Sequence, residues 1–173
     1  MKFKKFFYKK VKSTNDLALK KIRTGYGNGI IVADYQNEGR GQYGKKWISF
    51  KGNLFLTIFF EIKKKISLKK ITIINYSIIK KTISFFVKKK IIIKYPNDLL
   101  IKKKKFCGIL QEIAFHKNSK FIIIGIGVNL VKNPIIKNYP TTNILFETGQ
   151  KIKRLNIIKS LEKNYIKKLK LFA

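Results

Sequence analysis

Between Gln36 and Trp47 the chain reads Gln36-Asn37-Glu38-Gly39-Arg40-Gly41-Gln42-Tyr43-Gly44-Lys45-Lys46-Trp47. Glycines at this density let backbone N–H groups come close to a bound anion, so a loop of this kind can cradle a phosphate. One of only three arginines in the protein lies inside it. Elsewhere lysine supplies nearly all the positive charge, so an arginine inside this loop is informative. On its glycines alone the segment reads equally as a flexible hairpin loop. A second cluster is Lys94-Tyr95-Pro96-Asn97-Asp98, followed by Lys105-Phe106-Cys107-Gly108-Ile109-Leu110. Pro-Asn-Asp after a strand is a turn signal by itself, and Lys105 also reads as the end of a solvated lysine run. A third is Gly125-Ile126-Gly127-Val128-Asn129, where glycines inside an apolar strand signal close backbone approach. His116 and Cys107, each the sole residue of its type, read as a hairpin-edge residue and a small core residue.

These segments need elements to hold them. Residues 3–11 read as a strand, and Ser13-Thr14-Asn15-Asp16 is a run of cap-forming residues before a helix over 15–23. Strands follow over 30–35 and 53–61, the latter rich in Leu and Phe. The longest periodic segment, 66–87, places Ile71, Ile74, Ile78 and Phe85 near helical spacing, which predicts the main buried helix. A strand over 91–95 stops at Pro96, and 99–101 pairs with 106–115 as a hairpin across a lysine turn. A strand over 120–128, a loop-rich stretch over 131–150 and a basic amphipathic helix over 151–171 complete the order. This is not strict βαβ alternation. It predicts an α+β fold: a mixed, largely antiparallel sheet with helices mainly on one face.

Composition narrows the function. The 173 residues carry 40 Lys+Arg against 8 Asp+Glu, a formal charge of +32. Such a balance ordinarily points to a polyanionic partner. Here 37 of the cations are Lys, Ile outnumbers Ala 30 to 4, and lysines spread along the whole chain. Lys, Ile, Asn, Phe and Tyr are residues of A/T-rich codons, so the skew reads as drift in a reduced, A/T-rich genome. No specific nucleic-acid partner is expected. The first eleven residues lack the apolar core of a signal peptide, and no apolar run approaches the ~20 residues of a membrane helix. A single cysteine excludes an intrachain disulfide and a cysteine-based zinc site. A cytoplasmic protein without a membrane partner is expected.

Taken together and in order, Ser13-Thr14-Asn15, Gly39-Arg40-Gly41 with Trp47, Lys94-Tyr95-Pro96-Asn97-Asp98, Lys105 with Gly108-Ile109-Leu110, and Gly125 to Asn129 resemble the catalytic domain of biotin–protein ligase. The resemblance runs from about residue 8 to about residue 149. It implies a class II aminoacyl-tRNA synthetase-like fold and an ATP-dependent, AMP-forming reaction. Members of that family make biotinyl-5′-adenylate from biotin and Mg-ATP. They then pass the biotinyl group to a lysine of the biotin carboxyl carrier protein of acetyl-CoA carboxylase. Carried over by position, Ser13, Thr14, Asn15, Gln36, Gly39, Arg40, Gly41, Gln42, Lys105 and Gly108 would bind biotin. Gln42, Lys45, Trp47, Lys94, Asn97 and Asn129 would bind ATP. Lys105, Arg40 and Asp98 would act at the reacting centre. No metal site of the protein's own is implied, Mg²⁺ being expected with ATP.

The chain departs from the family pattern at Gln42, where a second loop arginine is usual, and at Tyr95, where Trp is usual. On this reading residues 1–173 are one catalytic domain, with no helix-turn-helix before it and without the family's small C-terminal β-barrel. Two other readings compete with this one. Lipoate ligases and octanoyltransferases share the fold superfamily, but the 39–47 loop and the Pro96-Asn97-Asp98 turn favour biotin. A basic nucleic-acid module, of a different class, predicts cations clustered on one face with aromatics between them.

Overall fold

In the computed structural model, residues 2–63, 65–169 and 172 are described. The order is β1 (Lys5–Tyr8), α1 (Thr14–Arg23), β2 (Asn28–Ala33), β3 (Leu54–Ile62), α2 (Leu68–Val87), β4 (Ile91–Lys94), β5 (Asp98–Ile101), β6 (Lys104–His116), β7 (Ser119–Val128), α3 (Ile144–Thr148) and α4 (Arg154–Lys168). The seven strands form one sheet in the order β1-β2-β3-β7-β6-β5-β4. Only β1 and β2 run parallel; every other pair is antiparallel. This is the expected α+β architecture.

Period-two alternation divides the sheet into unlike faces. Leu54, Leu56, Ile58 and Phe60 of β3 and Ile122, Ile124, Ile126 and Val128 of β7 all enter the main core. Ile71, Ile78, Ile79 and Ile83 of α2, with Ile157, Leu161 and Tyr165 of α4, cover that face. Polar side chains tie the layer together: Gln111 Nε2 donates to Thr72 Oγ1 (3.0 Å) and Asn75 Nδ2 donates to Gln111 Oε1 (2.7 Å). The expectation of helices mainly on one face holds for α2 and α4. α1 instead crosses the opposite face, where Ala18 and Ile22 pack on Ile31, Phe59, Phe121 and Ile123.

Some boundaries differ from the expected ones. The first strand is only four residues long, and Val11 makes an isolated bridge to Gln36. The 131–150 stretch contains α3, capped by the Asn143 side chain and closed by Gly149 in the left-handed region, φ 69°. The last helix begins at Arg154, and residues 170 and 171 of its expected span lie outside the described residues.

Candidate active site

Along β7 the α1-facing positions run Phe121, Ile123, Gly125, Gly127, so side chains vanish halfway along that face. On β6 the neighbouring position is Gly108. A Cβ on Gly108 would sit 2.5 Å from Trp47 Cζ3; one on Gly127 would strike the same indole, and one on Gly125 would strike Asn15 Oδ1. The three glycines therefore make room for Trp47 and Asn15 to close on the sheet, leaving a cavity of about 590 Å³ between them. That size is typical of a small-molecule site.

A β-bulge aims Lys105 into this space. Leu99 pairs with Cys107, but the next residue, Leu100, pairs with Lys105, so β6 has one residue more than β5 here. Phe106 and Cys107 both enter the core, and Lys105 returns to the side of Gly108. The Lys105 ammonium lies 2.8 Å from Asp98 Oδ1, both groups being largely buried (side chains 18% and 8% exposed). That approach is off the line of a good hydrogen bond, so Oδ1 keeps acceptor capacity. Tyr139 donates its hydroxyl to Asp98 Oδ2. Burial and this bond to Asp98 push the Tyr139 phenol above its ordinary pKa. The Tyr139 ring also lies under the ammonium groups of Lys94 (4.4 Å) and Lys105 (5.6 Å), with Trp47 5.4 Å from Lys105.

The 39–47 loop forms the second cationic wall. Its base is a tight antiparallel closure: Trp47 N donates to Gly39 O (2.8 Å) and Gly41 N to Lys45 O (2.7 Å). A Cβ on Gly39 would meet Trp47 O at 2.6 Å, so only glycine fits. At the tip, Tyr43 adopts φ 54° and is exposed. Arg40 reaches Glu112 with both terminal nitrogens (2.8 and 2.9 Å) and Asp16 at 2.7 Å. Burial alone would lower the Arg40 pKa; hydrogen bonds and charge from Glu112 and Asp16 outweigh that and raise it.

The far end of the cavity is polar and ordered. Gln36 Oε1 accepts from Thr14 N (2.8 Å) and Thr14 Oγ1 (3.0 Å). The Thr57 hydroxyl lies 2.7 Å from Asn15 Oδ1 and 2.8 Å from Thr14 Oγ1. Ser13 caps α1, accepting from Asp16 N at 3.5 Å. Gln36 Nε2 has no partner among the described residues and faces the Gly39 backbone.

The model of the biotin/lipoate A/B protein ligase family matches residues 7–129, more than half of the chain. The chain belongs to this family. Two bifunctional ligase/repressor BirA proteins are similar to it. That of Escherichia coli K12 is 29% identical over 123 residues, covering 69% of this chain and 38% of the relative. That of Bacillus subtilis 168 is 30% identical over 151 residues, covering 79% and 45%. The chain thus spans less than half the length of these curated relatives. Among solved structures, biotin protein ligase from Aquifex aeolicus in complex with biotin and ATP superposes with a TM-score of 0.81. It is 27% identical, and the match covers 98% of this chain and 71% of that one.

Within this family member, the cavity brings together Ser13, Thr14, Asn15, Gln36, Arg40, Gly41, Gln42, Lys45, Trp47, Lys94, Asn97, Asp98, Lys105 and Gly108. Gly39 stands just behind the wall, shaping the loop. Asn129 does not reach the cavity: it is 2% exposed, donates to Thr142 O (3.2 Å) and accepts from Asn53 Nδ2 (3.4 Å). Its side-chain amide and backbone carbonyl bond to Thr142 O and Ile144 N, beyond Tyr139 in the chain. Sequence reasoning missed Glu112, Asp16, Thr57 and Tyr139. Glu112 had a signal, since it shares strand parity with Gly108 and Leu110. Tyr139 sits in an aperiodic stretch and had none. Among the described residues no three His, Cys, Asp or Glu groups gather as a metal site, and no helix is long and apolar enough to cross a membrane.

Proposed function

We propose that this protein joins biotin to ATP as biotinyl-5′-adenylate and then transfers the biotinyl group to a carrier-protein lysine. The carrier on this reading is the biotin carboxyl carrier protein of acetyl-CoA carboxylase. One observation carries the proposal: two cations from different elements, Arg40 and Lys105, line a single cavity whose far end is an ordered polar cluster. Adenylation brings two anions together, the biotin carboxylate and the α-phosphate. The carboxylate oxygen attacks phosphorus, and the bond to pyrophosphate breaks. Arg40 and Lys105 offset the repulsion and stabilise charge that develops on the phosphate oxygens. Ser13, Thr14, Asn15 and Gln36 hold the ureido end, and Gln42, Lys45, Trp47, Lys94 and Asn97 border the nucleotide.

Positioning supplies much of the remaining acceleration, because no covalent enzyme intermediate is required. The mixed anhydride is open to hydrolysis, so the 39–47 loop and Tyr139 exclude water while it waits. In the second step the incoming amine attacks the acyl carbonyl and AMP leaves. Asp98, with unfilled acceptor capacity on Oδ1, takes the amine proton. Among the described residues no carboxylates gather into a cage for Mg²⁺, whose ligands would be the nucleotide phosphates. Use of ATP and a lone thiol both support a cytoplasmic setting.

The test is incorporation of labelled biotin into a purified biotin carboxyl carrier domain with Mg-ATP, for wild type and Lys105→Ala. Transfer that collapses in the variant is the expected result. No transfer by wild type, or transfer indifferent to Lys105, overturns it. Transfer of lipoate or octanoate in place of biotin assigns the chain to the other branch of its family.

A further inference from the structure

Glu112 is a residue at this site that no motif predicted, and its carboxylate accepts three hydrogen bonds. It lies on β6 with the parity of Gly108 and Leu110, facing the cavity side. Its Oε1 accepts from Arg40 Nη1 at 2.8 Å. Its Oε2 accepts from Arg40 Nη2 at 2.9 Å and from Asn15 Nδ2 at 2.6 Å. One carboxylate therefore ties the loop to the sheet and, through Asn15, to the first turn of α1. Asp16, one residue along that turn, adds its own contact to Arg40.

We infer that Glu112 is a positioning residue: its carboxylate fixes the Arg40 side chain and the Asn15 amide together, so that both keep their orientation at the polar end of the cavity. The argument is one of donors and acceptors. An ionised carboxylate only accepts, so it must face Nδ2 of Asn15, which leaves Oδ1 to face the Thr57 hydroxyl at 2.7 Å. Turning the amide over would set oxygen against oxygen at Glu112. The Asn15 carbonyl then stands where a Cβ on Gly125 would be, so the orientation also closes the floor. Arg40 is held as a planar fork by two parallel bonds, the arrangement that adds direction as well as charge. Glu112 cannot also act as a base, because both its oxygens are occupied by cationic or amide donors.

The inference deepens the ligase reading, on which its kinetic arm rests. Its structural arm does not. Trp47, the only tryptophan in the chain, closes the base of the same loop, so its accessibility to acrylamide reports whether the loop is fastened. In ligand-free protein, Glu112→Gln should raise the Trp47 quenching constant, with Glu112→Asp intermediate, while the unfolding transition remains cooperative. In single-turnover assays Glu112→Gln should release biotinyl-adenylate about tenfold faster, the fold-change of one charge-assisted hydrogen bond. Adenylation, in which Arg40 faces the phosphate, should slow as well. Quenching and release both at wild-type values in Glu112→Gln overturn the inference. So does an equal loss of adenylation and retention with quenching unchanged. If Glu112→Gln does not fold, Glu112→Asp decides by the same two readouts. If wild type makes no adenylate, the ligase reading fails while quenching still decides the role of Glu112.

Discussion

Replacing Gly108 by Ala adds one methyl group where the structure leaves no space for it. The new Cβ would lie 2.5 Å from Trp47 Cζ3 and 3.2 Å from Cε3. Carbon atoms in contact rest at about 3.5–4.0 Å, so the indole must retreat by roughly 1 Å. The Gly108 backbone is outside the left-handed region, so alanine adopts it freely and the effect is steric alone. Overpacking of this kind costs about 1–3 kcal/mol. For a domain of this size each kcal/mol lowers Tm by about 2–4 °C, which gives a fall of about 2–12 °C by calorimetry. The displaced indole carries the loop with it, because Trp47 N is bonded to Gly39 O. Biotin affinity should therefore fall as well. A second substitution isolates the cause: in a Trp47→Leu background the added methyl group should cost at least about 1 kcal/mol less, a coupling beyond the ordinary error of additivity. Additive effects within about 0.5 kcal/mol would refute the contact as the source.

Other outcomes can be checked alongside. Lys105→Ala should slow adenylate formation more than it weakens biotin binding. It should also destabilise the fold by about 1–3 kcal/mol, since Asp98 is left buried without its cation. Arg40→Ala should weaken both biotin binding and adenylate retention, measured by calorimetry and by single-turnover release. Asn53→Ala should lower stability by about 1–3 kcal/mol in urea unfolding. Its Oδ1 accepts from the backbone N–H groups of Leu130, Val131 and Lys132, which would lose that partner. Burial pushes the Cys107 thiol, first of all, and the Tyr139, Tyr76 and Tyr165 phenols above their ordinary values of 9.0 and 10.0. The unfolded chain therefore loses these protons first. Stability is fully present below pH 9 and falls as pH climbs above it; a profile flat to pH 11 would contradict this burial. In native protein at pH 8.5 Cys107 should resist iodoacetamide and react only after unfolding.

Much of the fold was legible because periodicity reports burial. Residues 53–61 and 120–128 announced strands, and Ile71, Ile78 and the residues between them announced α2. The facing of α1 was not legible. Its apolar positions, Ala18 and Ile22, are few, and nothing in their spacing says which side of a sheet they cover. At the site, the placement of short motifs was readable: Arg40, Gly41, Asp98 and Lys105 line one cavity. Counting by twos from Gly108 would have sent Lys105 to the wrong face, since the bulge at Phe106 and Cys107 adds the residue that turns it back. Asn129 lies outside the residues that line the cavity. A polar residue after a glycine-rich strand resembles a ligand contact, yet its amide is satisfied by Asn53 and Thr142. Tyr139 reaches Asp98 through a long-range contact across 41 positions, which no local pattern encodes.

The floor beneath Trp47 and Asn15 is made of Gly108, Gly125 and Gly127, which already carry the smallest side chain there is. Nothing can be trimmed from it to admit a bulkier substrate. Any change of ligand size must come through the opposite side, from α1, the 39–47 loop or the Tyr139 segment. The loop and the Tyr139 segment are held by hydrogen bonds and ion pairs and α1 by a small second cluster, whereas the floor belongs to the sheet that carries the main core. Substrate range and folding are therefore assigned to separable layers, so selection for a larger acyl group should find its variants at Thr14, Gln36 or Tyr139 and leave the three glycines in place.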